Sequence, residues 1–183
     1  MDKLLKELKA CKEAREWAKG KTWKEVYETC PRGDWLVWLF TRTNPNNLQE
    51  LALVKWYFAN FMRHLMKDER SIKSVYVVLA FAQGKATREE LDAASHEAEQ
   101  AWEEAYNQFE REMDADEKTT DIYADAAYVA YCATCFHDDH NEYPIVAAVR
   151  TIAINEDDRP RAQKLTADIC RKYLPIEIWN IKE

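Results

Sequence analysis

Three glycines in a chain of 183 residues constrain the fold more than any motif does. Strands joined by tight hairpins need glycine at positive φ, whereas helices joined by short loops need it only at their ends. Gly20, Gly33 and Gly84 all fall where a helical pattern breaks off or begins. The reading is therefore all-α: a single-domain, multi-helix bundle of about eight helices over residues 1–183. A chain of this length buries a sufficient core without metal or disulfide staples.

Apolar spacing and capping chemistry place the helices. Leu4, Leu8 and Cys11, with Leu5, Ala14, Trp17 and Ala18, recur three and four residues apart and predict one helix from about Lys3 to Lys19, stopped by Gly20. Thr22 and Glu25 form a capping box ahead of Trp23, Val26, Tyr27 and Cys30, and Pro31-Arg32-Gly33 breaks that helix. Asp34 is placed to cap a short apolar run, Trp35 to Arg42; a strand is open there, but no hairpin partner of matching pattern lies nearby. Asn47 and Glu50 read as a cap before a helix from Leu48 to about Lys67. Asp68 or Ser71 opens the next, which runs to Gly84 despite the β-branched residues between Val75 and Val78. Thr87 and Glu90 repeat the capping box and start a polar helix reaching about Met113, followed by a loop from Asp114 to Thr120. Further helices are expected over Asp121 to Phe136, 144–154 and 160–173, with Pro175 as terminator.

No apolar run approaches the roughly 18 residues of a spanning helix, and the charge-rich start MDKLLKELKACKEAREW lacks the apolar stretch of a secretory signal. Five cysteines, Cys11, Cys30, Cys132, Cys135 and Cys170, cannot all pair within one chain. Reduced thiols in cytoplasm are the expectation. Seven tryptophans supply large buried area, and Trp102 and Phe109, seven residues apart, mark the inward seam of the polar helix.

Catalytic motifs are missing. The sequence holds no G-x-S-x-G, Walker loop, dinucleotide glycine pattern or H-E-x-x-H, and the repeated Glu-x-x-His of di-metal bundles does not occur. Cys132, Cys135, His137 and His140 offer four donors of the kind zinc takes within nine residues. Their spacing suits a metal poorly, because structural zinc sites usually leave a longer segment between ligand pairs; small cysteines on a packed helix followed by a polar loop is the simpler reading. No catalytic residue, metal or cofactor is therefore assigned, and a metal-dependent enzyme around His137 and His140 ranks behind two binding functions.

Charge is distributed unevenly. Between Glu89 and Glu117 twelve acidic residues stand against Arg111, a net of −11 in a chain of −7, so the remainder carries +4. Such a helix attracts a basic surface and speeds encounter by long-range steering, with a solvated helix face as the plain alternative. Glu97, Glu103, Glu104 and Glu110 are the candidate contact residues. Nucleic acid itself is a poor partner for them, while Arg63, Lys67, Arg70, Lys73 and Lys85 offer a smaller anion-binding patch.

Several segments, read in order, carry a resemblance: Ala10-Cys11 to Trp17, Cys30-Pro31-Arg32-Gly33-Asp34-Trp35-Leu36-Val37-Trp38-Leu39, His64 to Lys73, Gly84 to Leu91, and Ile169 to Leu174. Together they resemble a family of helical immunity proteins of bacterial, prophage and phage genomes, often with an alanine-rich middle. Tyr123-Ala124-Asp125-Ala126-Ala127-Tyr128 is similar to that middle, and acidic residues replace much of the rest. The resemblance implies an all-α fold and a non-enzymatic inhibitor; it transfers no site residues. The leading expectation is a protein that neutralises an effector with a basic surface, such as a nuclease or nucleic-acid-binding complex, as toxin immunity or as an anti-CRISPR-like antagonist of defence. The alternative is a helical domain that sequesters a signalling nucleotide, with Arg63, Arg70 or Lys73 near the ligand.

Overall fold

The computed structural model describes residues 1–112, 122–136, 141–153 and 155–181. Within them the chain forms ten α-helices and no strand: α1 (Asp2–Glu7), α2 (Lys12–Ala18), α3 (Trp23–Thr29), α4 (Gly33–Thr43), α5 (Leu48–Met62), α6 (Glu69–Ala82), α7 (Arg88–Glu112), α8 (Ile122–Thr134), α9 (Tyr143–Ile152) and α10 (Arg159–Tyr173). The expected all-α class holds, with more helices than the eight anticipated. The predicted loop from Asp114 to Thr120, and His137 and His140, lie outside the described residues.

The sequence pattern lays out nine helical segments, and the tenth helix arises because the first segment breaks in two at Lys9. Its φ of 57° ends α1 in the left-handed region. There the Lys9 N–H donates to the Lys6 carbonyl and the Ala10 N–H to the Leu5 carbonyl. This is a Schellman cap, closed by the buried pair Leu5 and Ala10. Cys11 then caps α2, its Sγ accepting from the Ala14 N–H at 3.4 Å.

The other caps mostly follow sequence. Thr22 and Glu25 bond reciprocally, at 3.2 and 2.8 Å, and this holds the Glu25 carboxyl below its ordinary range. Thr87 and Glu90 repeat the arrangement at 3.2 and 2.7 Å. Asp68 opens α6 by accepting from the Arg70 N–H. Two expectations fail. Asn47 makes no side-chain cap bond. Asp34 lies inside the first turn of α4 instead of capping it, because both its oxygens are held by the Arg32 side chain. The segment from Arg63 to Leu65 tightens into a 3-10 turn instead of extending α5.

Two apolar cores meet on α5. One gathers Trp23, Tyr27, Phe40 and Trp179 with Leu51, Val54 and Phe58 of α5. The other sets Ala52, Ala59 and Met62 of α5 against Val75 and Val78 of α6 and the alanines Ala126, Ala130 and Ala133 of α8. Small side chains on α8 let neighbouring backbones approach closely, which fixes where α7 lies along α6 and α8. α4 packs against α10 just as closely: a Cβ placed on Gly33 would meet the Thr166 backbone carbon and oxygen at 2.9 Å. Tyr27 anchors the C-terminal segment through its hydroxyl, 3.1 Å from the Leu174 carbonyl, and Trp179 donates Nε1–H to the same carbonyl at 3.0 Å.

Candidate functional site

The 25 residues of α7 carry nine carboxylates against Arg88 and Arg111, along a rod of about 36 Å. Its inner stripe is built from Leu91, Ala94, Ala98 and Ala101, all buried at three- and four-residue spacing. Carboxylates are thereby forced to the flanks and the outer ridge.

On the flank facing α6, two of the four candidate residues are tied inward. Arg70 of α6 grips Glu104 with both terminal nitrogens, at 3.2 and 2.5 Å, while its Nε and one terminal nitrogen also hold Asp68. Hydrogen bonds from Arg70 keep the Glu104 and Asp68 carboxyls below their ordinary range. Lys73 meets Glu97 at 3.0 Å. The flank facing α8 is aromatic: Trp102 lies against Tyr128 and stacks on Tyr131, with centroids 4.6 and 5.9 Å apart. Burial, reinforced by Glu99, raises the Tyr131 hydroxyl well above its ordinary value. Trp102 and Phe109, expected to mark the inward seam, are only half-buried: Trp102 lies on the flank against α8, and the seam itself is made by Leu91 and the three alanines.

What remains outward is a ridge of Glu89, Asp92, His96, Gln100, Glu103, Asn107 and Glu110, each exposed. Asp92 is matched to Arg88 at 2.7 Å, and Glu110 accepts from the Tyr106 hydroxyl, which raises that hydroxyl's pKa. Glu103 and Glu110 therefore stand on the open ridge, whereas Glu97 and Glu104 fasten α7 to α6. Tyr106, on the same helix, adds large exposed apolar surface beside this ridge. Carboxylates with aromatic side chains among them suit a protein contact, since aromatics are enriched at such surfaces. No family model, curated protein or solved structure matches the chain.

Of the five cations in the alternative patch, four are engaged within the fold, and Lys85 is exposed. Arg63 bonds the Tyr76 hydroxyl, Arg70 and Lys73 are held by carboxylates, and Lys67 lies over the Tyr123 ring at 3.5 Å. Cys132 and Cys135 are both buried, and burial pushes the Cys132 thiol up to about 12. Among the described residues no three side chains converge as metal donors.

Lys55 is a polar residue inside the core. It is completely buried on α5, donating to the Cys135 carbonyl and, at 3.0 Å, to Asn141 Oδ1, with its ammonium 4.3 Å from the Phe136 ring centroid. One side chain thus joins the end of α8 to the start of α9. Desolvation lowers its pKa to about 8. A lysine inside Leu51-Ala52-Leu53-Val54-Lys55-Trp56-Tyr57-Phe58 gives no local sign of burial, and its partners lie 80 and 86 residues downstream.

Proposed function

We propose that this chain is a non-enzymatic protein-binding domain that neutralises a basic-surfaced effector through the outer ridge of α7. A nuclease or another nucleic-acid-binding protein fits that description, in a toxin-immunity or anti-defence setting. The supporting observation is the division of the acidic helix. Two carboxylates, Glu97 and Glu104, hold it to α6, and the exposed Glu89, Glu103 and Glu110 project along its outer side. A rigid acidic rod, fixed along both flanks, can imitate the spacing of charge that a basic groove binds, and it raises the rate of encounter.

The test compares wild type with the variant Glu89→Lys, Glu103→Lys, Glu110→Lys, leaving Glu97 and Glu104 in place. Each is used as bait in lysate of the source cells, and the association rate of the captured protein is then measured at low and high salt. The expected result is a basic partner whose association with the variant is slower by about ten-fold or more at low salt, with the difference collapsing at high salt. Equal rates at low salt for two equally folded proteins would remove α7 from the contact surface.

A further inference from the structure

The first core is interrupted by a cavity of about 270 Å³, lined from α1, α2, α3 and α4. Protein interiors otherwise pack with few voids larger than a water molecule. Small side chains open the space: Ala10, Ala14 and Ala18 recur at four-residue intervals along its lining, where larger residues would fill it. Trp35, Trp38 and Leu39 of α4 supply bulkier wall. Trp17 of α2 is in ring contact with Trp35, centroids 6.1 Å apart at 54°, which braces the two helices against each other.

The polar groups of the lining decide what the space can hold. Cys11 Sγ accepts from the Ala14 N–H at 3.4 Å. The Cys30 thiol donates to the Arg32 carbonyl at 3.3 Å, and burial keeps it protonated by pushing it up to about 11. Both oxygens of Asp34 are held by Arg32, at 3.1 and 2.5 Å. The Oε1 of Glu142 is buried out of contact with the cavity, and burial raises that carboxyl to about 7, which weakens its charge at neutral pH. The tryptophans already meet cations of the chain itself: Lys21 lies 4.6 Å from the Trp17 ring, and Arg32 and Arg42 lie 4.6 and 5.9 Å from Trp35 and Trp38. A charged molecule entering here would give up its hydration for little counter-charge in return, whereas an uncharged apolar one loses little and covers the walls. Size follows from volume: an apolar cavity of about 150 Å³ takes benzene, which scales to about ten carbons here.

We infer that this cavity binds one uncharged, apolar molecule of about ten carbons, held by contact with Trp17, Trp35 and Trp38 and selected by its size and lack of charge. The cavity draws no wall from α7, so the site and the acidic ridge are independent of each other.

The test is titration calorimetry of the full chain at neutral pH with 2-methylnaphthalene, 2-naphthoate and 2-naphthylmethylammonium, probes that share one ring system and differ in charge. The hydrocarbon is expected to bind one to one and at least about ten-fold tighter than either ion, since each ion must shed its water. Location is read separately. Cys11, the exposed cysteine of the five, lines the cavity, so a trifluoromethyl label on its sulfur should shift its fluorine resonance when 2-methylnaphthalene enters. Ala14→Phe, which puts a ring into the space, should abolish binding. No binding of 2-methylnaphthalene, equal binding of a charged probe, or a fluorine resonance that stays fixed while the hydrocarbon binds would each overturn the assignment, as would undiminished binding by a folded Ala14→Phe. The wild-type selectivity and the label at Cys11 decide the matter even should that variant fold poorly.

Discussion

Replacing Lys55 with methionine tests the energetics at the centre of the fold. Methionine keeps the length of the stem and its contact with Phe136 but removes the donor that joins Cys135 and Asn141. Lys55 is fully buried, and its pKa falls from the ordinary 10.5 to about 8 through desolvation, partly offset by Cys132, Cys135 and Glu142. Between those two values the unfolded chain holds more protons than the folded one. The contribution of Lys55 to stability therefore rises with pH through this window. The displacement is worth about 3 kcal/mol at pH 7, falling to about 1 kcal/mol at pH 10. Methionine carries no such charge cost, but it strands two buried acceptors, at about 1–3 kcal/mol each. The deficit of Lys55→Met against wild type should thus be small at pH 7 and larger by about 2–3 kcal/mol at pH 10. Urea unfolding of both proteins across pH 6 to 10 measures it, and taking the difference cancels the titration of groups common to both. A deficit that is constant with pH, or that shrinks as pH rises, would refute a buried ammonium at this position.

Two further substitutions probe backbone geometry. Gly33→Ala drives a Cβ to 2.9 Å from the Thr166 backbone, which has no flexible end to move away; it should destabilise by about 1–3 kcal/mol, read as a lowered urea midpoint with an unchanged slope. Lys9→Gly should stabilise by about 0.5–1 kcal/mol, because it relieves a left-handed lysine at φ 57° and loses part of the gain to chain entropy; a less stable variant would show that the lysine is not strained there.

The sequence discloses structure where the deciding groups are close together along the chain. Thr22 with Glu25 and Thr87 with Glu90 are three residues apart, and both boxes form. The break at Lys9 was hidden because a Schellman turn is usually marked by glycine, and here lysine holds the angle while Leu5 and Ala10 seal it. Asp34 resembles a cap, but its neighbour Arg32 competes for both oxygens, a contest that composition does not resolve. Chemistry set by distant pairs was the least legible. Charge counting found α7 correctly as the acidic element, yet it could not divide the carboxylates by role, since Arg70 to Glu104 and Lys73 to Glu97 are juxtapositions between helices.

That division of α7 alters how its charge should be understood. A net of −11 over the segment from Glu89 to Glu117 suggests one repelling block held apart by solvent. In the fold, the carboxylates nearest α6 meet its cations, so part of the charge serves to set α7 in place and only the outer part is left to act at a distance. Arg70 holds Asp68 and Glu104 together, and Asp68 also caps α6. The start of α6 and the middle of α7 are consequently fixed to each other through one guanidinium, whose planar fork resists rotation better than a lysine would. An outer ridge fixed in this way keeps its carboxylates at set intervals. Set intervals allow an acidic helix to discriminate among basic surfaces, where a mobile acidic tail would attract them all alike.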